Sequence, residues 1–358
     1  MSDDTRNFEI MRELMEIPGP TGQEHYVMDW LRERWEGKAE RVWTARGGNV
    51  FAHVGGQGPK LLIEGHADEI GFVVRSISDD GFIWLASGQV SRGDVSKRYP
   101  IGQPALILTR RGLVEGIFAT TTGHILSEQQ NQKGKLDFYD FFVDIGASSR
   151  DEVIEQGIHP GAGVIWNPPT KQIGTRVIGK AVDDRFALAI MTLLLEELDP
   201  STLAYDLYIA ATIQEEIGLV GAKALRSEVD ANLAIALDNG PVGDIPTVDR
   251  RTLPTRLGGG PALVHKDNYG HYNQDLIWRL ADVAEGADIP VQHAVWEFFG
   301  SDGQALIQQG IPTALIGLST RYTHSPFEMY DTRDFDYSLD LLKAFITTPL
   351  NAVISTGA

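Results

Sequence analysis

Two textures follow one another along this chain, and their order restricts the folds open to it. From about residue 174, short apolar runs alternate with amphipathic stretches: a helix at 184–198, strands at 206–213 and 233–237 around a helix near 219–228, a helix near 271–287, a strand near 291–296, a helix at 302–309, a strand at 313–317 and a last helix near 336–347. Such alternation predicts an α/β fold built as a three-layer α/β/α sheet. Residues 6–36 add two helical stretches, split by Ile17-Pro-Gly-Pro-Thr-Gly22, whose prolines and glycines demand a loop. Strands at Asn49–Val54 and Lys60–Glu64 follow. Between about 71 and 163 the pattern becomes all-β, with short alternating runs separated by Gly and Asp turns and only Ser149–Gln156 helical. The expected organisation is one α/β domain made of residues 1–70 and 164–358, interrupted by a β-rich domain at 71–163.

Composition narrows the chemistry. At 358 residues, 42% hydrophobic and 22% charged, the chain suits one large or two modest soluble domains. It has no cysteine, which excludes disulfides, thiolate metal ligands and a cysteine nucleophile, and fits a cytoplasmic protein. A net charge of −18 argues against a nucleic-acid partner, whose phosphates would be repelled. The opening Met1-Ser-Asp-Asp-Thr-Arg6 lacks a signal-peptide pattern, and no apolar run reaches the roughly 18 residues that would span a bilayer, so no membrane partner is expected.

Polar residues with metal-binding chemistry recur at strand ends. Glu215 and Glu216 close the run Asp206–Gln214, and Gly218 follows. Adjacent acids against an apolar strand are costly unless solvated, paired or metal-bound, and one can hold a cation while the other handles a proton. His66-Ala-Asp68 follows Leu61-Leu-Ile63, so His66 could bind a metal while Asp68 orients its ring. Asp183-Asp184 opens an Ala/Leu-rich helix, where one aspartate can serve as an N-cap and the other as a ligand. Asp238-Asn239-Gly240 ends an apolar run and also reads as an ordinary turn, and His324 lies in the polar stretch Thr323-His-Ser-Pro326. Each feature alone has a bland structural explanation. As a set they fit two cations that share one carboxylate, with about five protein ligands and a separate carboxylate to move protons.

Four motifs then resemble one family. His66-Ala-Asp-Glu-Ile-Gly-Phe72, Gly179-Lys-Ala-Val-Asp-Asp-Arg185, Gln214-Glu-Glu-Ile-Gly-Leu-Val-Gly-Ala222 and Arg321-Tyr-Thr-His-Ser-Pro-Phe-Glu328 are similar to the M42 metallo-aminopeptidases, which include the tetrahedral (TET) and glutamyl aminopeptidases. The likeness runs from Pro18-Gly-Pro-Thr-Gly-Gln-Glu24 to the last helix. It implies a hydrolase that removes N-terminal residues from peptides with two divalent metal ions per subunit, zinc or cobalt, with manganese also admitted by the donor set. By motif, Asp183 would bridge, His66 and Asp238 would complete one metal, and Glu216 and His324 the other. Glu215 would be the general base and acid, and Asp68 would orient His66. The β-rich segment would be a PDZ-like barrel used for dimerisation, with dimers assembled into a tetrahedral homo-dodecamer.

Two departures bear on substrate choice: Gly300-Ser-Asp-Gly303 stands where many relatives carry Gly-Thr-Asp-Ala, and Asp238 precedes Asn-Gly-Pro. Arg250, Arg251 and Arg256 read either as selectors of acidic side chains or as solvated surface charge, and Gly123-His124 either as a surface turn or as a contact to a neighbouring subunit's site. Two other functions compete. Paired carboxylates serve glycoside hydrolysis, but that chemistry leaves the histidines and Asp183 without roles. A non-catalytic binding homologue would be expected to have lost Glu215 or a ligand, and here all are present.

Overall fold

The computed structural model describes residues 3–88, 100–129 and 137–349. The opening Met1-Ser2, parts of the 71–163 segment and the end of the 164–358 segment lie outside the described residues.

Eight strands form one mixed sheet in the spatial order Arg41–Thr44, Val50–Gly55, Asp206–Thr212, Lys60–His66, Leu233–Pro241, Thr313–Thr320, Ala262–Lys266, Gln292–Val295. The central four, from Asp206–Thr212 to Thr313–Thr320, run parallel. Their sequences are almost continuously apolar because both faces are covered. The two-residue strand period divides these side chains. Leu61, Ile63, Ile209 and Ile235 join one core with Leu14, Leu31, Phe186, Leu280 and Leu342, which come from the helices Asp3–Glu16, His25–Trp35, Val182–Glu197, Gln274–Gly286 and Thr332–Thr347. Leu62, Ala210 and Ala234 join another with Leu225, Ala305 and Leu306, the last two from the short helix Gly303–Gln308.

A closed barrel of six strands stands beside the sheet: Phe72–Ile77, Ile83–Ser87, Phe141–Asp144, Gly112–Thr120, Pro104–Thr109 and Gly163–Trp166. It has its own core, centred on Phe72, whose ring meets Phe118, Phe141 and Trp166 at centroid distances of 5.1, 6.1 and 5.4 Å. The helix Arg150–Glu155 beside it is capped by Ser149, which accepts the Glu152 amide.

Some elements differ from expectation. The helix expected near 219–228 is a 3₁₀ turn, Ala222–Ala224, followed by the single turn Leu225–Glu228. Leu219 in the left-handed region and Gly218 at φ +123° prevent an earlier start. The strand expected at 233–237 continues to Pro241, so Asp238-Asn239-Gly240 is extended chain and not a turn. Ala262–Lys266, Arg41–Thr44 and a small sheet of Lys171–Ile173, Arg176–Gly179 and Glu328–Asp331 were not anticipated. Each has five residues or fewer, too few to make an alternating period visible.

Candidate metal centre

The ends of the parallel strands converge at one place, as open α/β sheets arrange their ligand sites. Register sets His66 level with Thr212, and Asp238 pairs with Gly317. His66 thus closes its own strand, Glu215 and Glu216 follow the neighbouring one, and Asp238 projects from within the next. Asp183 enters from the start of the Val182–Glu197 helix, and His324 from the loop after Thr313–Thr320. The helix start fits against the strand because Gly65 has no side chain: an added Cβ would meet the Ala187 Cβ at 2.6 Å and Asp184 Oδ2 at 2.9 Å.

Asp183 is the hub of the site. One of its oxygens lies 3.0 Å from His66 Nε2 and the other 3.2 Å from His324 Nε2. His324 Nε2 is also 3.3 Å from Glu216 Oε1, a buried atom with no hydrogen-bond donor. Among the described residues, three sets of donor atoms could each hold a metal ion, the atoms within each lying inside 4.8 Å of one another: His66, Asp183 and Asp238; Asp183, Glu216 and His324; and His66, Glu215 and Glu216. Asp183 belongs to two of them.

Surrounding groups hold these side chains. Asp68 is fully buried and accepts the Glu215 amide at 2.9 Å, the Glu216 amide at 3.2 Å and the Thr21 hydroxyl at 2.9 Å, while its carboxylate stands 3.5 Å from His66 Nδ1. The same ring nitrogen is 3.1 Å from the Asp68 carbonyl oxygen. Asp184 accepts the His66 amide at 3.3 Å and also the Ala187 amide. Because Asp183 and Asp184 have non-helical dihedrals, the regular helix starts after them, and Asp184 fills the N-cap place while Asp183 reaches the site. The peptide bond that joins them is cis. Ala181, Gln214, Tyr322 and His324 all have φ between +54° and +63°, and each lies at or within two residues of a site residue. Non-glycine residues in that region concentrate where surrounding structure enforces a functional geometry.

The electrostatics follow from burial of many acids together. Burial opposes ionisation of Asp183, but hydrogen bonds from His324 and His66 outweigh it and hold the carboxyl well below its usual range. Burial, then the negative Asp183 and Asp184, push Asp238 well above its usual range against the pull of His66. Burial likewise raises Glu215, helped by Glu216, Asp302 and Asp68. Burial disfavours charged His66 and His324, yet the facing carboxylates raise both well above the ordinary imidazole range. An excess of carboxylate over nearby cationic charge, with two imidazoles in reach, is the donor chemistry of a divalent-cation site.

The cluster floors a cavity of about 670 Å³. Leu219, Lys223, Tyr269, Phe298, Phe299, Gln304 and others form its walls. The three arginines considered as selectors do not line it: Arg251 pairs with Asp249 on the surface, and Arg250 and Arg256 are outside it. Gly123 and His124 are exposed. Sequence reading missed Glu328 as an organiser; it accepts the backbone amides of both Asp183 and His324. It also missed Glu64, whose only signal is an acid within an apolar strand; it is fully buried and raised well above its usual range by burial and by Asp302 and Asp184.

Comparison with known proteins points to aminopeptidases. The profile describing the M42 glutamyl aminopeptidases matches residues 48–341. The chain is similar to the lysyl aminopeptidase of Pyrococcus furiosus, 31% identical over 345 residues that make up 95% of this chain and 96% of the relative. A TET aminopeptidase from a marine sediment archaeon of the Thaumarchaeota superposes with a TM-score of 0.90 at 30% identity, covering 99% of each chain. The TET1 peptidase of Pyrococcus horikoshii, described as assembling into a tetrahedron or a large octahedral shell, superposes with a TM-score of 0.86 at 26% identity over 95% of this chain and 99% of that one.

Proposed function

Since the chain belongs to the M42 glutamyl aminopeptidase family and is a peptidase, we propose that it releases N-terminal residues from peptides by means of two divalent cations per subunit. The observation that carries this reading is Asp183, whose two oxygens face His66 on one side and His324 on the other. Asp183 would be shared, with His66 and Asp238 completing one cation's ligands and Glu216 and His324 the other's. Zinc and cobalt suit such imidazole and carboxylate donors, as does manganese. When bound, the pair supplies Lewis acidity toward the scissile carbonyl and lowers the pKa of the attacking water.

The chain's own groups do the rest. Glu215 accepts a proton from that water and returns it to the leaving amine. Its environment suits both tasks, since burial and the neighbouring acids raise its proton affinity. Asp68 positions the pair at two levels: its carboxylate lies beside His66 Nδ1, and it holds the Glu215 and Glu216 amides. A two-carboxylate glycosidase would give no role to the histidines that flank Asp183.

In the same reading, residues 1–70 and 164–358 form a three-layer catalytic domain, and 71–163 is an inserted PDZ-like dimerisation domain. The separate hydrophobic core of the barrel supports that division. Dimers would build a tetrahedral dodecamer, supported by the assembly described for the Pyrococcus horikoshii relative. A cytoplasmic location belongs to this reading as well. The test is hydrolysis of aminoacyl-chromophore substrates by metal-stripped protein with Zn²⁺ or Co²⁺ returned. Metal-dependent release from unblocked but not N-acetylated substrates is expected; equal release from both would refute an aminopeptidase.

A further inference from the structure

Three aromatic residues, Tyr269, Phe298 and Phe299, line the cavity that holds the candidate metal centre. Phe298 is 97% exposed and Tyr269 52% exposed, and both line the cavity. The loops that bear these rings are tied to each other and to the body of the protein. The Asn268 amide donates to the Phe299 carbonyl at 3.0 Å, which joins the loop bearing Tyr269 to the loop bearing Phe298. Phe299 packs edge-on against the buried Trp296 at 4.7 Å. Tyr269 packs against Gly300, where an added Cβ would meet its Cε2 at 2.4 Å. The Tyr269 amide is fixed in turn by Asp267 at 2.7 Å.

Charged groups are few around this wall. Among the described lining residues, none is acidic beyond the candidate ligands and Glu215, so none of them would pair with a lysyl or arginyl substrate side chain. Lys223 is the single lysine or arginine among the lining residues, and its ammonium donates to the Gly218 carbonyl at 2.7 Å. An acidic substrate side chain would have that ammonium as its one cationic partner among the described lining residues. A large apolar side chain needs neither: it covers Phe298 and Tyr269 and displaces water from them.

We infer that this peptidase selects peptides whose N-terminal residue is large and apolar, leucine, methionine or phenylalanine, and that Phe298 and Tyr269 are the residues that select it. This rests on the aminopeptidase reading above. At about 4-fold per buried CH₂ group, leucyl should exceed alanyl substrates by roughly 50-fold in kcat/KM.

The experiment measures kcat/KM of the full-length, metal-loaded enzyme on leucyl, phenylalanyl, alanyl, lysyl and glutamyl p-nitroanilides, for wild type, Phe298→Ala and Tyr269→Ala. Phe298 is almost wholly exposed, so its truncation leaves folding intact. Leucyl and phenylalanyl preference, with a phenylalanyl-to-alanyl ratio that falls about 10-fold or more in Phe298→Ala, is the expected result. Preference for lysyl or glutamyl substrates, or an unchanged ratio in both variants, overturns the selectivity while leaving an aminopeptidase. No turnover of any unblocked substrate overturns the peptidase mechanism and the selectivity together.

Discussion

Glu328 accepts the backbone amide of Asp183 at 2.9 Å, which ties the strand Glu328–Asp331 to the start of the Val182–Glu197 helix. Its other oxygen takes the His324 amide at 2.7 Å. One buried side chain therefore sets the spacing of two candidate ligands. Groups that orient ligands in this way typically contribute 10–100-fold in metal affinity. Glu328→Ala should weaken cation binding by about that factor, measured by competition with a chromophoric chelator. Wild-type affinity in the variant would rule out this role.

The sharing of Asp183 between two donor sets predicts unequal losses of metal. Asp183→Ala should bind neither ion firmly, whereas Asp238→Ala should lose only the ion on the His66 side. Elemental analysis of protein dialysed against a fixed free zinc concentration distinguishes them. Equal stoichiometry in the two variants would contradict a bridging role.

Glu215 is proposed to move protons and not to hold metal. Glu215→Gln should keep both ions and lower kcat by about 10²–10⁴-fold. The third donor set, which contains Glu215, makes the opposite outcome informative: loss of an ion in Glu215→Gln would recast it as a ligand.

A pH effect on stability is expected at Asp334, which is buried and accepts the Gly258 and Gly260 amides at 2.7 and 2.8 Å. Burial outweighs those amides and pushes its pKa up to about 6 from 3.8. Between pH 4 and 6 the folded protein keeps a proton that the unfolded chain has released, so this group's contribution to stability falls as pH rises, by about 2–3 kcal/mol across the window. Urea unfolding at pH 4 and 6.5 should show wild type losing stability relative to Asp334→Asn as pH rises. Wild type gaining stability relative to the variant would reverse the assignment.

Behind the site, Glu69 neutralises two buried cations. Lys180 Nζ lies 2.9 Å from its carboxylate and Arg185 3.6 Å, all three side chains being almost inaccessible. The same carboxylate accepts the Gly19 amide at 2.9 Å. Glu69→Ala leaves both cations unpaired and should cost about 3–5 kcal/mol by chemical denaturation. Adding Lys180→Met should recover part of it; no recovery would show that Arg185 alone dominates the loss.

Residue type and local period made several parts of this protein legible. The runs around Leu61–Ile63 and Ala234–Leu237 are apolar because both faces are covered, and that pattern is local. The paired acids at Glu215-Glu216 and the His66-Ala-Asp68 motif announced themselves for the same reason. Ala262–Lys266 did not, since three glycines and a proline precede a run too short to show a period. Asp238 looked like part of a turn because Asp-Asn-Gly is a turn sequence in isolation; here pairing with Thr313–Thr320 keeps it extended.

Residue order alone therefore supplied the inventory: which donors exist, that most follow buried strands, and that the β-rich stretch differs in texture from its flanks. Which donor faces which was decided only by the tertiary structure. His66 and Asp183 stand 117 residues apart along the chain, and Glu328 reaches both Asp183 and His324 through backbone amides that no side-chain pattern records. Strand order and helix placement set those distances, and both depend on pairing between remote segments, for which the local period of a sequence carries no signal.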